Sequence, residues 1–238
     1  MVIDVHCHIG RSRDTAGTSV PQILRNMRRC HVSKTVIFPI DEKNPGPSYS
    51  AANRRIARLV RKHRSFIGCI RLDPNQLPAA FDEIRWAQAN GFRAVKLHPR
   101  TDRFSIKKME PLFGEISRSG MAVILHTSHE QNCSPRDWIR FIKRCPKTFF
   151  IFAHGGKDDW KDAISVANQF KTVFLETTTQ SFYRTGMILK GVGTHKVVFG
   201  SDTPYSHVDV ELMKFELLLS PQKRRLVLCE NAKRILGL

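Results

Sequence analysis

Several things are missing from this sequence, and each absence narrows what it can encode. Its six cysteines (Cys7, Cys30, Cys69, Cys133, Cys145 and Cys229) include no Cys-x-x-Cys pair. That argues against a structural zinc knuckle and for reduced thiols rather than a disulfide framework. No apolar run approaches the length of a membrane span, and the first residues lack the basic, apolar and cleavage segments of a secretory leader. The expectation is a soluble, cytoplasmic protein with no membrane partner. Repeats, low-complexity tracts and interdomain linkers are absent too, and 238 residues with 41% hydrophobic content suffice for one substantial core. One domain covering residues 1–238 is expected.

Acidic residues are scarce. With 21 Asp and Glu against 39 Lys and Arg, the formal net charge is +18. Such an excess attracts nucleic acid, anionic membranes or acidic substrates, or simply solvates a surface. Arg54, Arg55, Arg58, Arg61, Lys62 and Arg64 crowd one helical segment whose Ile56, Leu59 and Val60 form a core-facing stripe, which places the cations on its outer face. No aromatic residues interleave them as a base-stacking platform requires. A solvated surface is therefore expected, and nucleic acid is not.

What the sequence does contain is a regular alternation. Short β-branched or apolar runs at 2–5, 34–40, 65–71, 94–98, 122–127, 149–153, 173–177 and 196–200 alternate with amphipathic stretches at 21–30, 50–63, 77–90, 109–119, 135–144, 160–170, 183–191 and 208–219. Eight strand-helix units in this length predict an α/β protein, a (β/α)8 barrel, with an open doubly wound sheet as the alternative. Gly91, Gly120 and Gly193 stand where left-handed helix ends are wanted, and 44–48 (Asn-Pro-Gly-Pro-Ser) is a loop.

Polar residues collect at the carboxyl ends of these strands: His6 and His8, Arg71 and Asp73, Lys96 and His98, His126, His154, Glu176 and Asp202. That end is the active-site face of a barrel. His6 and His8 alternate with Cys7, so both imidazoles face one side of the first strand. Burying so many titratable groups without partners is costly, and a metal ion explains them better than packing does. Imidazoles with one carboxylate suit zinc, manganese, iron or cobalt better than calcium or magnesium, and zinc is expected. With His6, His8, His126 and Asp202 as ligands, a water could fill an open position and be activated there. Asp202 could accept its proton, and His154 could polarise the substrate or shuttle a proton. Arg71 and Arg100, at or just past strand ends, could grip a substrate carboxylate, with His98 as a further contact. Alternatively, Arg71 pairs with Asp73 or Glu176.

The motifs Asp4-Val5-His6-Cys7-His8, Val95-Lys96-Leu97-His98-Pro99, Ile124-Leu125-His126-Thr127, Phe152-Ala153-His154-Gly155-Gly156, Gly200-Ser201-Asp202-Thr203-Pro204 and the terminal Glu230 to Gly237 occur in this order over nearly the whole chain. Together they resemble the amidohydrolase superfamily, in the branch that includes aminocarboxymuconate semialdehyde decarboxylase and related metal-dependent hydrolases. The resemblance implies a distorted TIM barrel whose metal is held by His6, His8, His126 and Asp202, with His154 as catalytic partner, and a homodimer. Some superfamily members carboxylate a strand-4 lysine to bridge two metals; a second metal here would draw on Lys96 and His154.

The leading expectation is a metal-dependent hydrolase using activated water on a small, carboxylate-bearing substrate, and metal-dependent non-oxidative decarboxylation is the alternative. A TatD-type nuclease would share the opening motif but place a glutamate at strand 4, where this chain has Lys96. A non-enzymatic barrel binding nucleic acid through its basic surface is the reading from another class. The pair Gly155-Gly156 is expected to let substrate approach the backbone.

Overall fold

The computed structural model describes residues 1–13 and 17–238. Its strands are β1 (Ile3–Ile9), β2 (Lys34–Pro39), β3 (Phe66–Arg71), β4 (Ala94–Leu97), β5 (Ala122–His126), β6 (Phe150–Ala153), β7 (Val173–Glu176) and β8 (Val197–Val198). The helices are α1 (Val20–Arg29), α2 (Ser50–Lys62), α3 (Leu77–Ala89), the single turn α4 (Pro99–Asp102), α5 (Glu110–Ser119), α6 (Ile139–Arg144), α7 (Trp160–Gln169), α8 (Phe182–Val192), α9 (Val208–Leu218), α10 (Pro221–Arg225) and α11 (Asn231–Leu236). All strand pairs are parallel and follow chain order from β1 to β8. Closure comes from backbone hydrogen bonds between β1 and the segment after β8: Val5 N–H donates to the Phe199 carbonyl (3.0 Å), Asp202 N–H to that of His6 (2.8 Å), and His8 N–H to that of Thr203 (2.9 Å). The chain is a (β/α)8 barrel, as the alternation predicts.

Two apolar layers hold it together. Ile3, Val5, Val36, Phe38, Ile67, Ile124, Ile151, Phe174 and Val198 fill the barrel interior, where Ala232, Ile235 and Leu236 of the carboxyl-terminal helix join them. A larger layer, including Ile37, Val95, Leu125, Phe152 and Leu175 on the outward strand positions, meets the helices. Burying a large aliphatic or aromatic side chain stabilises by about 1.5–3 kcal/mol, so these layers supply the driving force. Gly68 has no side chain because Phe92 occupies the space: a Cβ there would lie 2.8 Å from the ring.

On α2, Ile56 and Ala57 are buried, while Arg58, Arg61 and Lys62 are exposed and have no ion pair among the described residues. Arg54 lies 3.4 Å over the Trp86 ring and pairs with Glu83 (2.9 Å), and Arg55 pairs with Glu42. The cations therefore sit outward, as expected. Gly91 and Gly120 are left-handed at their helix ends, with φ of 72° and 71°. Gly193 differs: its φ of 75° goes with ψ of 160°, an extended conformation open only to glycine. No helix among the described residues is long and apolar enough to cross a membrane.

Candidate metal centre and active-site cavity

Strand β1 runs four residues beyond the stretch expected from sequence, so His6 and His8 lie within it. A bulge sets their direction: Asp4 opposes Thr35 and Cys7 opposes Ile37, leaving Val5 and His6 together against one residue of β2. After the bulge the alternation resumes, and Cys7 turns outward into the helix-facing layer. Asp4 clamps the bulge to the far edge of the barrel. Its Oδ1 accepts from the N–H groups of His6 (3.0 Å) and Ser201 (2.9 Å), and its Oδ2 accepts from the Ser201 hydroxyl (2.7 Å). Burial raises this carboxyl to about 7, against those hydrogen bonds.

His6 is fully buried, with Nδ1 2.9 Å from Glu176 Oε2. A carboxylate only accepts, so Nδ1 carries the ring hydrogen and Nε2 presents its lone pair inward. Asp202 Oδ1 lies 3.2 Å from that Nε2 and 3.1 Å from His8 Nε2. His6, His8 and Asp202 thus each bring one ligand atom within 4.8 Å of the others, and His6, His154 and Glu176 form a second such group. Lys96 Nζ, also fully buried, sits 3.2 Å from His6 Nε2. Burial, together with Arg71, lowers its ammonium to about 8.

His126 does not join either group. It stacks on His98 (ring centroids 3.9 Å apart) and meets His154 edge-on at 4.8 Å, and both its buried ring nitrogens lack a partner among the described residues, as does His8 Nδ1. Burial holds His6, His8, His98 and His126 well below the ordinary imidazole value and takes His154 to about 3. Neutral imidazoles with unpartnered nitrogens beside a carboxylate are a donor set that fits a divalent ion.

A cavity of about 280 Å³ opens over this cluster, lined by His8, Arg71, His98, Arg100, His126, His154 and Asp202 together with Lys157, Thr179 and Tyr205. Arg71 is paired with neither Asp73 nor Glu176. Asp102 of α4 grips it at two points, Nε to Oδ2 (3.1 Å) and Nη2 to Oδ1 (2.9 Å), and Tyr49 donates to the same carboxylate (2.7 Å). Arg100 is half-exposed, 3.0 Å from Glu130. The glycine pair does not line the cavity: a Cβ on Gly155 would meet Ile188 at 2.9 Å and one on Gly156 would meet Ala163 at 3.0 Å, so the pair serves the turn and the packing beneath it.

The sequence-derived family model for amidohydrolases matches residues 3–238. The chain belongs to the amidohydrolase family. By sequence, no curated protein matches this amidohydrolase. Among solved structures, 5-carboxyvanillate decarboxylase from Sphingomonas paucimobilis is similar with a TM-score of 0.76 at 14% identity, covering 100% of this chain and 99% of its own. A candidate 2-pyrone-4,6-dicarboxylic acid hydrolase from Pseudomonas putida gives 0.73 at 16% identity, covering 99% and 97%. A dihydroxybenzoic acid decarboxylase from Polaromonas, solved with manganese and the inhibitor 2-nitroresorcinol, gives 0.72 at 14% identity, covering 100% and 97%. At these identities the likeness is one of fold.

From sequence, Glu176 stands at a strand end with Arg71 as its candidate partner, whereas in the structure it holds His6. Its contact with His6 spans 170 residues and has no local signal. Lys157, Thr179 and Tyr205 lie on loops, where no periodicity marks them.

Proposed function

We propose that this amidohydrolase is a metal-dependent enzyme that removes CO₂, without oxidation, from a small planar ring bearing a carboxylate. The observation that carries the reading is the cavity. Its 280 Å³ suits one substituted ring, the imidazoles of His98 and His126 line it, and Arg71, Arg100 and Lys157 supply cations for a carboxylate. Two of the fold relatives are named for aromatic carboxylates they decarboxylate, which moves decarboxylation ahead of the hydrolysis favoured from sequence.

His6, His8 and Asp202, with His126 beside them, would hold the ion, and zinc and manganese both suit this nitrogen and oxygen set. A bound divalent cation would supply Lewis acidity, drawing charge from oxygen substituents of the ring. Loss of CO₂ leaves an electron pair on the ring carbon, which takes up a proton. Asp202 and His154, 3.9 Å apart on the cavity wall, are placed to carry it. The Thr178 hydroxyl donates to Glu176 (2.8 Å), so it accepts from His154 Nδ1–H (3.1 Å) and leaves the other ring nitrogen free.

Hydrolysis of a ring ester is the second reading, favoured by the likeness to the Pseudomonas protein. A metal-reconstituted sample incubated with dihydroxybenzoates, 5-carboxyvanillate and 2-pyrone-4,6-dicarboxylate in H₂¹⁸O separates them. Release of CO₂ without ¹⁸O in the product supports decarboxylation, ¹⁸O uptake without CO₂ supports hydrolysis, and neither outcome with any of these substrates sinks both.

A further inference from the structure

Four residues of the cavity wall, His154, Lys157, Thr179 and Asp202, have positive φ, of 64°, 49°, 64° and 50°. Non-glycine residues hold that conformation only where surrounding structure imposes it. They lie on three loops, after β6, β7 and β8.

A buried polar cluster outside the cavity reaches all three. The Gln180 carboxamide donates to the carbonyls of both His154 (2.8 Å) and Lys157 (3.0 Å), spanning the turn between them. Lys214 of α9 donates to the Gln180 carbonyl (2.7 Å) and to Glu211 Oε2 (2.6 Å). Glu211 Oε1 in turn accepts from the Thr179 N–H (3.2 Å) and the Ser206 hydroxyl (2.9 Å), and Ser206 N–H donates to the Asp202 carbonyl (3.3 Å). Gln180, Glu211 and Lys214 are 4%, 2% and 9% exposed, so little water competes for these bonds.

We propose that Gln180, Glu211 and Lys214 are positioning residues that lock the loops after β6, β7 and β8 together and so aim His154, Lys157 and Asp202 into the cavity. None of the three lines the cavity, and the role rests on the function proposed above. Gln180 is the sharpest test. Gln180→Glu keeps its shape but replaces two donors with acceptors facing two carbonyls, and Gln180→Met removes the donors without adding charge.

In the metal-loaded full chain, Gln180→Glu is expected to lower kcat at least tenfold and raise KM for the ring carboxylate at least threefold, with Gln180→Met milder in both. Loss of folded protein alone would lower apparent kcat and leave KM unchanged. The imidazole ¹⁵N shifts of His154, read in the metal-free protein, should move in both variants. That readout decides the proposal even where the wild type turns over no ring carboxylate, an outcome that counts only against the assigned reaction. Where Gln180→Glu does not fold, Gln180→Met and Ser206→Ala, which cuts only the link to the Asp202 loop and should lower kcat about threefold, carry the comparison. Wild-type KM, kcat and His154 shifts in the folded variants would overturn it.

Discussion

Glu176 and His6 meet at 2.9 Å between β7 and β1 because Gly200, beside them, has no side chain: a Cβ there would lie 2.8 Å from Glu176 Cγ and 2.8 Å from His6 Cβ. The carboxylate fixes the ring hydrogen on Nδ1 and aims Nε2 at Asp202 and His8. Partners of this kind commonly contribute 10–100-fold to metal affinity. Glu176→Ala and Gly200→Ala should therefore each weaken zinc binding by about one to two orders of magnitude in a competition titration. Wild-type affinity in both would remove Glu176 from this role.

Arg71 and Arg100 line one cavity but should respond differently. Arg71→Ala strands the buried Asp102 carboxylate and is expected to cost about 3–5 kcal/mol in denaturant unfolding. Arg100→Ala, at a half-exposed pair, should change stability by less than about 1 kcal/mol while raising KM for carboxylate substrates. Equal stability losses would contradict the assignment.

The metal-free protein should lose stability as pH falls below about 6.5. His6, His8, His98, His126 and His154 are held neutral when folded, with His154 at about 3, so the unfolded chain takes up protons first. At pH 5 one such imidazole costs about 2 kcal/mol. Asp4, raised to about 7, acts oppositely between about 4 and 7, gaining its proton in the folded state, but it is one group against five. Thermal melts from pH 8 to 5 check this; a flat profile would show that these imidazoles take up protons in the folded state.

Chelation should abolish turnover and lower the melting temperature, and readded zinc or manganese should restore both. Metal at a hundredfold excess over its dissociation constant stabilises by about 2.7 kcal/mol. His8→Ala should lose the ion. His126→Ala is the informative variant, since its nitrogens lie outside the His6, His8 and Asp202 group; wild-type metal content there would exclude it as a ligand.

The barrel was legible because parallel strands and amphipathic helices carry distinct periods, and eight repetitions leave little choice of architecture. Most of the cavity wall was legible too, since strand ends in such a barrel face one mouth: His8, Arg71, His98, Arg100, His126, His154 and Asp202 all reach it. The Asp102 grip on Arg71 was not, because it depends on the one-turn helix α4, too short to leave a period. Gly155 and Gly156 misled for a similar reason: glycine marks a close approach without saying from which side.

By itself, then, the sequence determined the architecture and the inventory of groups at the mouth, because strand and helix periods and the strand-end rule act locally. Tertiary structure alone decided how those groups pair. The bulge in β1, the space left by Gly200 and the positive-φ loops set which nitrogen meets which carboxylate, and these contacts join residues far apart in the chain, where no local pattern records them.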